Sequence, residues 1–192
     1  MPSWNDLVNH IDGLPDDQSR STYILAKQNE CLRKIGELRG KRHVILYGSA
    51  FLQKPSVAAE NLLVTHEDIN GLMSVIYGMD CQRGLSLILH TPGGRPDAAE
   101  SIVAYLRSKF PTIEVIVPAL AMSAGTMIGL GTDRLVMGRQ SQLGPIDPQM
   151  GFGGGRSVSA RAVVEQFERA RDEVLKDVKT ELPPLARPRD LC

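Results

Sequence analysis

Two short apolar runs, each closing in a turn of small residues, constrain this chain more than any other feature. The first, Leu85-Ser86-Leu87-Ile88-Leu89-His90, ends in Thr91-Pro92-Gly93-Gly94. The second, Ile113-Glu114-Val115-Ile116-Val117, leads through a loop to Ser123 at the head of a small-residue helix. Short apolar runs bounded by turn signals predict strands buried on both faces, as in a parallel sheet covered by helices. Paired glycines at a strand end expose backbone N–H groups that no Cβ shields. A serine at a strand-to-helix elbow projects its hydroxyl beside the unpaired N–H groups of the helix start. Facing one another, the two devices make a nucleophile and an oxyanion hole, the parts needed for acyl transfer and above all for peptide-bond hydrolysis.

The surrounding pattern alternates helices with strands. A charged amphipathic helix is predicted over 19–39 and closed by Gly40, then a strand over 43–47. Thr65 with the acidic His66-Glu67-Asp68 turn predicts a helix start leading to about Gly78. Pro96 opens a helix after the glycine turn, and Ser123 heads another. Arg134–Met137 reads as a strand, 138–155 as a glycine- and proline-rich loop, and 159–179 as a final amphipathic helix. This order favours an α/β fold with a mostly parallel sheet and flanking helices. The organisation expected is a flexible arm over 1–18, one domain over 19–182 and a Pro-rich tail over 183–192. The tail reads as a native end or as a truncation.

Composition narrows the function classes. With 22 basic and 22 acidic residues, nothing favours nucleic acid or an anionic membrane as partner. No uncharged apolar run reaches the roughly 18 residues of a membrane span, and the N-terminus lacks a signal-peptide pattern. Cys31, Cys81 and Cys192 are odd in number and lack CxxC spacing, which speaks against a disulfide framework or zinc site and fits a reducing cytoplasm. Gly151-Phe152-Gly153-Gly154-Gly155 is not placed like a phosphate-binding loop. Taken alone, Ser123 is as well read as an ordinary helix N-cap. Its pairing with Thr91-Pro92-Gly93-Gly94 shifts the reading toward function.

The stretch LILHTPGG … AESIVAYLRSKF … VIVPALAMSAGTMIGLGTDRLVMGRQSQLGPIDPQ resembles the serine dehydrogenase proteinase family. That family lies within the Clp-protease and crotonase-like superfamily and is related to signal peptide peptidase A. The resemblance spans about Arg33 to Lys179. It implies a spiral of β-β-α units and a serine peptidase with Ser123 as nucleophile. The N–H groups of Ala124, Gly93 and Gly94 would form the oxyanion hole. It implies no metal or organic cofactor, a peptide or protein substrate, and a homo-oligomer.

The base is less legible. All four histidines, His10, His43, His66 and His90, precede the serine, which disfavours a Ser-His-Asp triad. His90 ends the strand before the glycine turn, where a backbone-bonded role is the simpler reading. A Ser-Lys dyad leaves Lys176 and Lys179, which lie 53 and 56 residues after Ser123. The spacing of related dyads favours Lys176. The helical pattern disagrees: Val163, Phe167, Ala170, Val174 and Val178 mark the face expected to be buried, and at ~100° per residue Lys179 flanks it while Lys176 points away. Solvated helix-end lysines are the plain alternative for both. Lys54 and Lys109 rank lower. Two other functions stay open, an inactive Clp-fold scaffold that binds peptides or assembles, and, less favoured, a crotonase-like acyl-CoA enzyme. The latter usually needs a nearby glutamate, and none lies between Glu114 and Glu165.

Overall fold

A computed structural model describes residues 3–54, 56–147, 149–152 and 156–181. Residue contacts divide the chain into two compact units, 1–146 and 147–192, where the sequence predicts one domain through residue 182.

The first unit opens with two helices. The stretch expected as a flexible arm contains α1 (Trp4–Asp12), because Ser3 and Asp6 form a capping box that closes the first turn. No residue of α1 is buried. In α2 (Asp17–Leu38) the Asp16 carboxylate accepts the Ser19 N–H at 2.7 Å, and only Gly36 near its C-terminal end is buried. A Cβ there would stand 2.8 Å from the Arg42 carbonyl oxygen, so glycine lets the helix end close onto the strand that follows.

That strand is β1 (His43–Gly48), followed by α3 (Asp68–Ile76), β2 (Leu85–His90), α4 (Pro96–Lys109) and β3 (Ile113–Val117). Then come β4 (Leu120–Ala121), α5 (Ala124–Leu130), β5 (Arg134–Met137) and β6 (Gln142–Leu143). The main sheet is parallel throughout, in the order β1-β2-β3-β5. Helices α3, α4 and α5 carry the successive crossovers. Strand β4 leaves the sheet and pairs in parallel with β6, so β3-β4-α5 is a β-β-α unit. The buried side of the sheet is Leu85, Leu87, Leu89, Ile113, Val115 and Val117, closed by Ile102 and Leu106 of α4 and Ile128 of α5. Each fully buried side chain of this size contributes roughly 1.5–3 kcal/mol.

The start of α3 differs from its prediction. Thr65 does not cap the helix; the Asp68 carboxylate accepts the Thr65 N–H at 2.7 Å, and no side chain caps the helix itself. Asp68 reaches back because its carboxylate spans one turn more readily than the short threonine hydroxyl.

At the amino end of the sheet lies a buried ion pair. Glu114 is 3% exposed and accepts from Arg39 Nε at 2.8 Å, Arg39 Nη2 at 2.5 Å and Ser86 Oγ at 2.7 Å. The Arg39 guanidinium holds its carboxyl down to about 2, against the desolvation that raises it. A depressed carboxyl contributes stability above its unfolded value that is lost as pH falls through its folded value. Glu114→Gln is therefore expected to cost about 3 kcal/mol at neutral pH, since it leaves Arg39 unpaired. Chemical denaturation of both proteins should show the gap closing between pH 4.5 and about 2.

The second unit holds an antiparallel hairpin, β7 (Gln149–Phe152) with β8 (Arg156–Ser159), followed by α6 (Ala160–Glu181). The predicted loop over 138–155 thus contains β6 and β7. The stripe expected to be buried on α6 is not: Phe167 is 79% and Val174 60% exposed, with Val163 half-buried. Among the described residues of its own unit, α6 has only the hairpin beside it, too little to cover an apolar face. The Pro-rich tail over 183–192 lies outside the described residues. Among them, no helix is long and apolar enough to cross a membrane.

Candidate active site

The carboxyl ends of β2 and β3 bring the two devices together. Ser123 occupies the N-cap position of α5 with φ 46° and ψ −112°, a conformation that L-residues reach only under strain of about 1–3 kcal/mol. Its side chain makes no capping hydrogen bond, so the plain N-cap reading does not hold. The surroundings impose the strain. The Thr91 N–H donates to the Leu120 carbonyl at 3.0 Å, and the Met122 N–H donates to the Thr91 carbonyl at 3.1 Å. Past the serine, the Met127 N–H closes onto the Ser123 carbonyl at 3.0 Å.

Small residues make this closure possible. A Cβ on Gly125 would stand 2.5 Å from Thr91 Cγ2, so α5 can approach β2 only with glycine there. The Thr126 hydroxyl, 5% exposed, donates to the Ala121 carbonyl at 2.7 Å and accepts the Gly144 N–H at 3.1 Å. It thereby ties the helix to the Leu143-Gly144-Pro145 segment.

Gly93 lies against this elbow, and Gly94 follows it against Val64. Gly93 has φ 101°, and a Cβ on it would stand 2.7 Å from the Met122 carbonyl oxygen and 2.8 Å from Ser123 Cβ. Its N–H already donates to Thr91 Oγ1 at 3.1 Å. Gly94 is bridged in parallel to Val64: the Val64 N–H donates to the Gly93 carbonyl at 2.8 Å, and the Arg95 N–H to the Val64 carbonyl at 2.9 Å. Alternation along an extended chain then turns Gly94's own N–H away from Val64. Ala124, first residue of α5, carries an N–H that the helix cannot satisfy.

Among the described residues, no histidine bonds to Ser123. The His10 ring packs on Tyr23, His43 Nε2 meets the Asp80 carbonyl at 2.8 Å, and His66 Nε2 stands 4.0 Å from Asp97. His90 Nδ1 accepts the Leu120 N–H at 3.4 Å. Lys109 lies over the Tyr105 ring at 5.6 Å. Lys176 sits on α6, in the unit beginning at Asp147. The side chain of Lys179 lies outside the described set.

A cavity of about 740 Å³ opens over β1 and α3 and borders the glycine turn through Arg95. Its half-buried phenol, Tyr47, is pushed up by burial and by the Asp68 carboxylate, the wrong direction for a base or nucleophile at neutral pH. The strained serine is the stronger chemical candidate. Sequence reasoning misses Thr91, Thr126 and Val64. Thr91 stands inside the quoted motif, whereas the pairing of Val64 with Gly94 has no local signal.

Residues 14–181 match the family model of ClpP-like SDH-type serine proteinases. An uncharacterized protein of Methanocaldococcus jannaschii is 31% identical over 157 residues, covering 80% of this chain and 52% of the relative. A membrane-bound protease of Pyrococcus horikoshii is 37% identical over 82 residues, 41% of this chain and 19% of the relative. The chain thus spans about half or less of the length of these relatives. Among solved structures, the 1510-N membrane-bound stomatin-specific protease, as a mutant in complex with a substrate peptide, aligns over 55% of this chain and 51% of its own. Its identity is 29% and its TM-score 0.42. ClpP1 from Listeria monocytogenes aligns over 69% and 70%, at 15% identity and TM-score 0.38. On the match over most of its length, the chain belongs to the family of ClpP-like SDH-type serine proteinases.

Proposed function

We propose that this chain hydrolyses peptide bonds in a peptide or protein substrate, with Ser123 as nucleophile. The observation that carries the reading is a strained, uncapped serine held against the glycine turn at Gly93 in a chain of a serine-proteinase family. Ser123 Oγ attacks the scissile carbonyl and gives its proton to a lysine amine. The N–H groups of Gly94 and Ala124 receive the oxyanion, each such donor supplying about 2.7–4 kcal/mol in related chemistry. Gly93, with its N–H engaged by Thr91, sets the approach of the two segments. The tetrahedral intermediate collapses, the leaving amine takes the proton back, and water then releases the acyl group from Ser123.

The base is Lys176, with Lys179 the alternative. A lysine amine serves this step when desolvation or a neighbouring cation lowers its pKa. A homo-oligomer belongs to the same reading, since exposed apolar side chains on α2 and α6, among them Leu25 and Phe167, offer surface for it. So does a cytoplasmic setting, on the cysteine usage. Hydrolysis of a quenched-fluorescent unstructured peptide by the full chain tests the dyad. Lys176→Ala is expected to slow turnover by about 100-fold or more and Lys179→Ala to leave it near wild type. The reverse result would move the base to Lys179, and full activity in both variants would end the Ser-Lys reading.

A further inference from the structure

We propose that His90 is a positioning residue for Ser123, acting through the backbone of Leu120. The inference rests on Ser123 being the nucleophile. His90 is the last residue of β2, and His90 and Thr91 together hold both polar groups of Leu120. The Leu120 N–H donates to His90 Nδ1 at 3.4 Å, and the Leu120 carbonyl accepts the Thr91 N–H at 3.0 Å. Three residues later the chain reaches the strained serine. A second set of contacts holds the ring and the backbone of His90. The Phe51 ring lies 5.1 Å from it at an interplanar angle of 32°, and the His90 carbonyl accepts the Ser49 N–H at 2.8 Å. The ring thus joins the loop after β1 to the segment that carries the nucleophile.

The chemistry of that joint follows from the ring nitrogens. Nδ1 can accept the Leu120 N–H only when the imidazole is neutral with its proton on Nε2. Protonation puts a donor opposite a donor, and the tie that holds Leu120 is lost. Among the described residues, no carboxylate comes within ion-pair distance of this ring. Of the ionisable residues on the neighbouring segments, His43 meets the Asp80 carbonyl, Tyr47 faces the Asp68 carboxylate and Lys54 is exposed. Strand β4, which contributes Leu120, carries no ionisable residue.

Two substitutions separate positioning from simple packing. His90→Asn places an amide oxygen near the position of Nδ1 and keeps an acceptor. His90→Leu fills space without one. The full chain is treated with a serine-directed fluorophosphonate at neutral pH, and the labelling rate is followed by intact mass. At neutral pH His90→Asn should label near the wild-type rate, and His90→Leu about 10- to 100-fold more slowly, with circular dichroism unchanged. Equal rates for wild type and His90→Leu, or a His90→Asn protein that labels as slowly as His90→Leu, would overturn the proposal. Nitrogen-15 NMR of the unreacted protein supplies a readout that needs no nucleophile. Nδ1 should appear as an acceptor, and the Leu120 amide signal should shift as the ring takes up a proton. If wild type takes up no fluorophosphonate, the nucleophile reading fails on its own. An unmoved Leu120 amide would defeat the role of His90 whatever the labelling result.

Discussion

Ser123→Gly should abolish hydrolysis and, in the same protein, raise stability by about 1 kcal/mol. The two effects arise from one conformation. With φ 46° and ψ −112°, serine bears about 1–3 kcal/mol of backbone strain. Glycine adopts that conformation freely and gives back about 0.5–1 kcal/mol through its larger unfolded-state entropy. Relief exceeds loss, so the folded state gains. Ser123→Ala retains the strain and removes only the hydroxyl, which caps nothing, and should unfold close to wild type. Both variants should lose at least about 10³-fold in turnover. Thermal denaturation beside a peptide-hydrolysis assay checks the pair. A Ser123→Gly protein less stable than Ser123→Ala would show that the elbow is not strained.

Gly94→Ala should be the most damaging single substitution in the first unit. A Cβ on Gly94 would fall on the backbone nitrogen and oxygen of Val64 and within 2.8 Å of its Cα. Val64 is fully buried and bridged to Gly94 on both sides, so neither backbone can yield without breaking the pairing. We expect a loss of about 3–5 kcal/mol, which for a chain of this size lowers Tm by roughly 6–20 °C. Gly93→Ala meets a different neighbour. Its Cβ would press on the Met122 carbonyl and on Ser123 Cβ, displacing Ser123 rather than the core. Its main effect should be a fall in turnover of about 100-fold with a smaller change in Tm. Urea denaturation and peptide hydrolysis of the two variants distinguish these outcomes. A Gly94→Ala protein as stable as wild type would contradict the close approach of Val64.

How much of this was legible beforehand depends on the range of each signal. The strands 85–90, 113–117 and 134–137 are readable because each is an apolar, β-branched run closed by a turn, and their bounds match β2, β3 and β5. The helix α1 is hidden under a polar composition, although the Ser3 and Asp6 spacing that closes its capping box is present in the sequence. Strands of two to four residues such as β6 and β7 have too few positions to show a period. At the site, the glycine turn and Ser123 stand out as residue types. The strain at Ser123 does not, because a dihedral angle is imposed by the ties around Thr91 and Leu120. Val64 is silent for the same reason, its role arising from a bridge to a residue thirty positions away. The base is the least legible part. A helical stripe says which way a lysine points around its own axis, and α6 leaves exposed the very stripe from which that direction was judged.

The central claim is that Ser123 is an activated nucleophile, and intact-mass spectrometry after fluorophosphonate treatment tests it most directly. One adduct on the wild-type chain and none on folded Ser123→Ala is the predicted result. A folded wild-type chain that takes no adduct, or a Ser123→Ala protein that is labelled as readily, would contradict the account. The inactive Clp-fold scaffold would then become the better description of this chain.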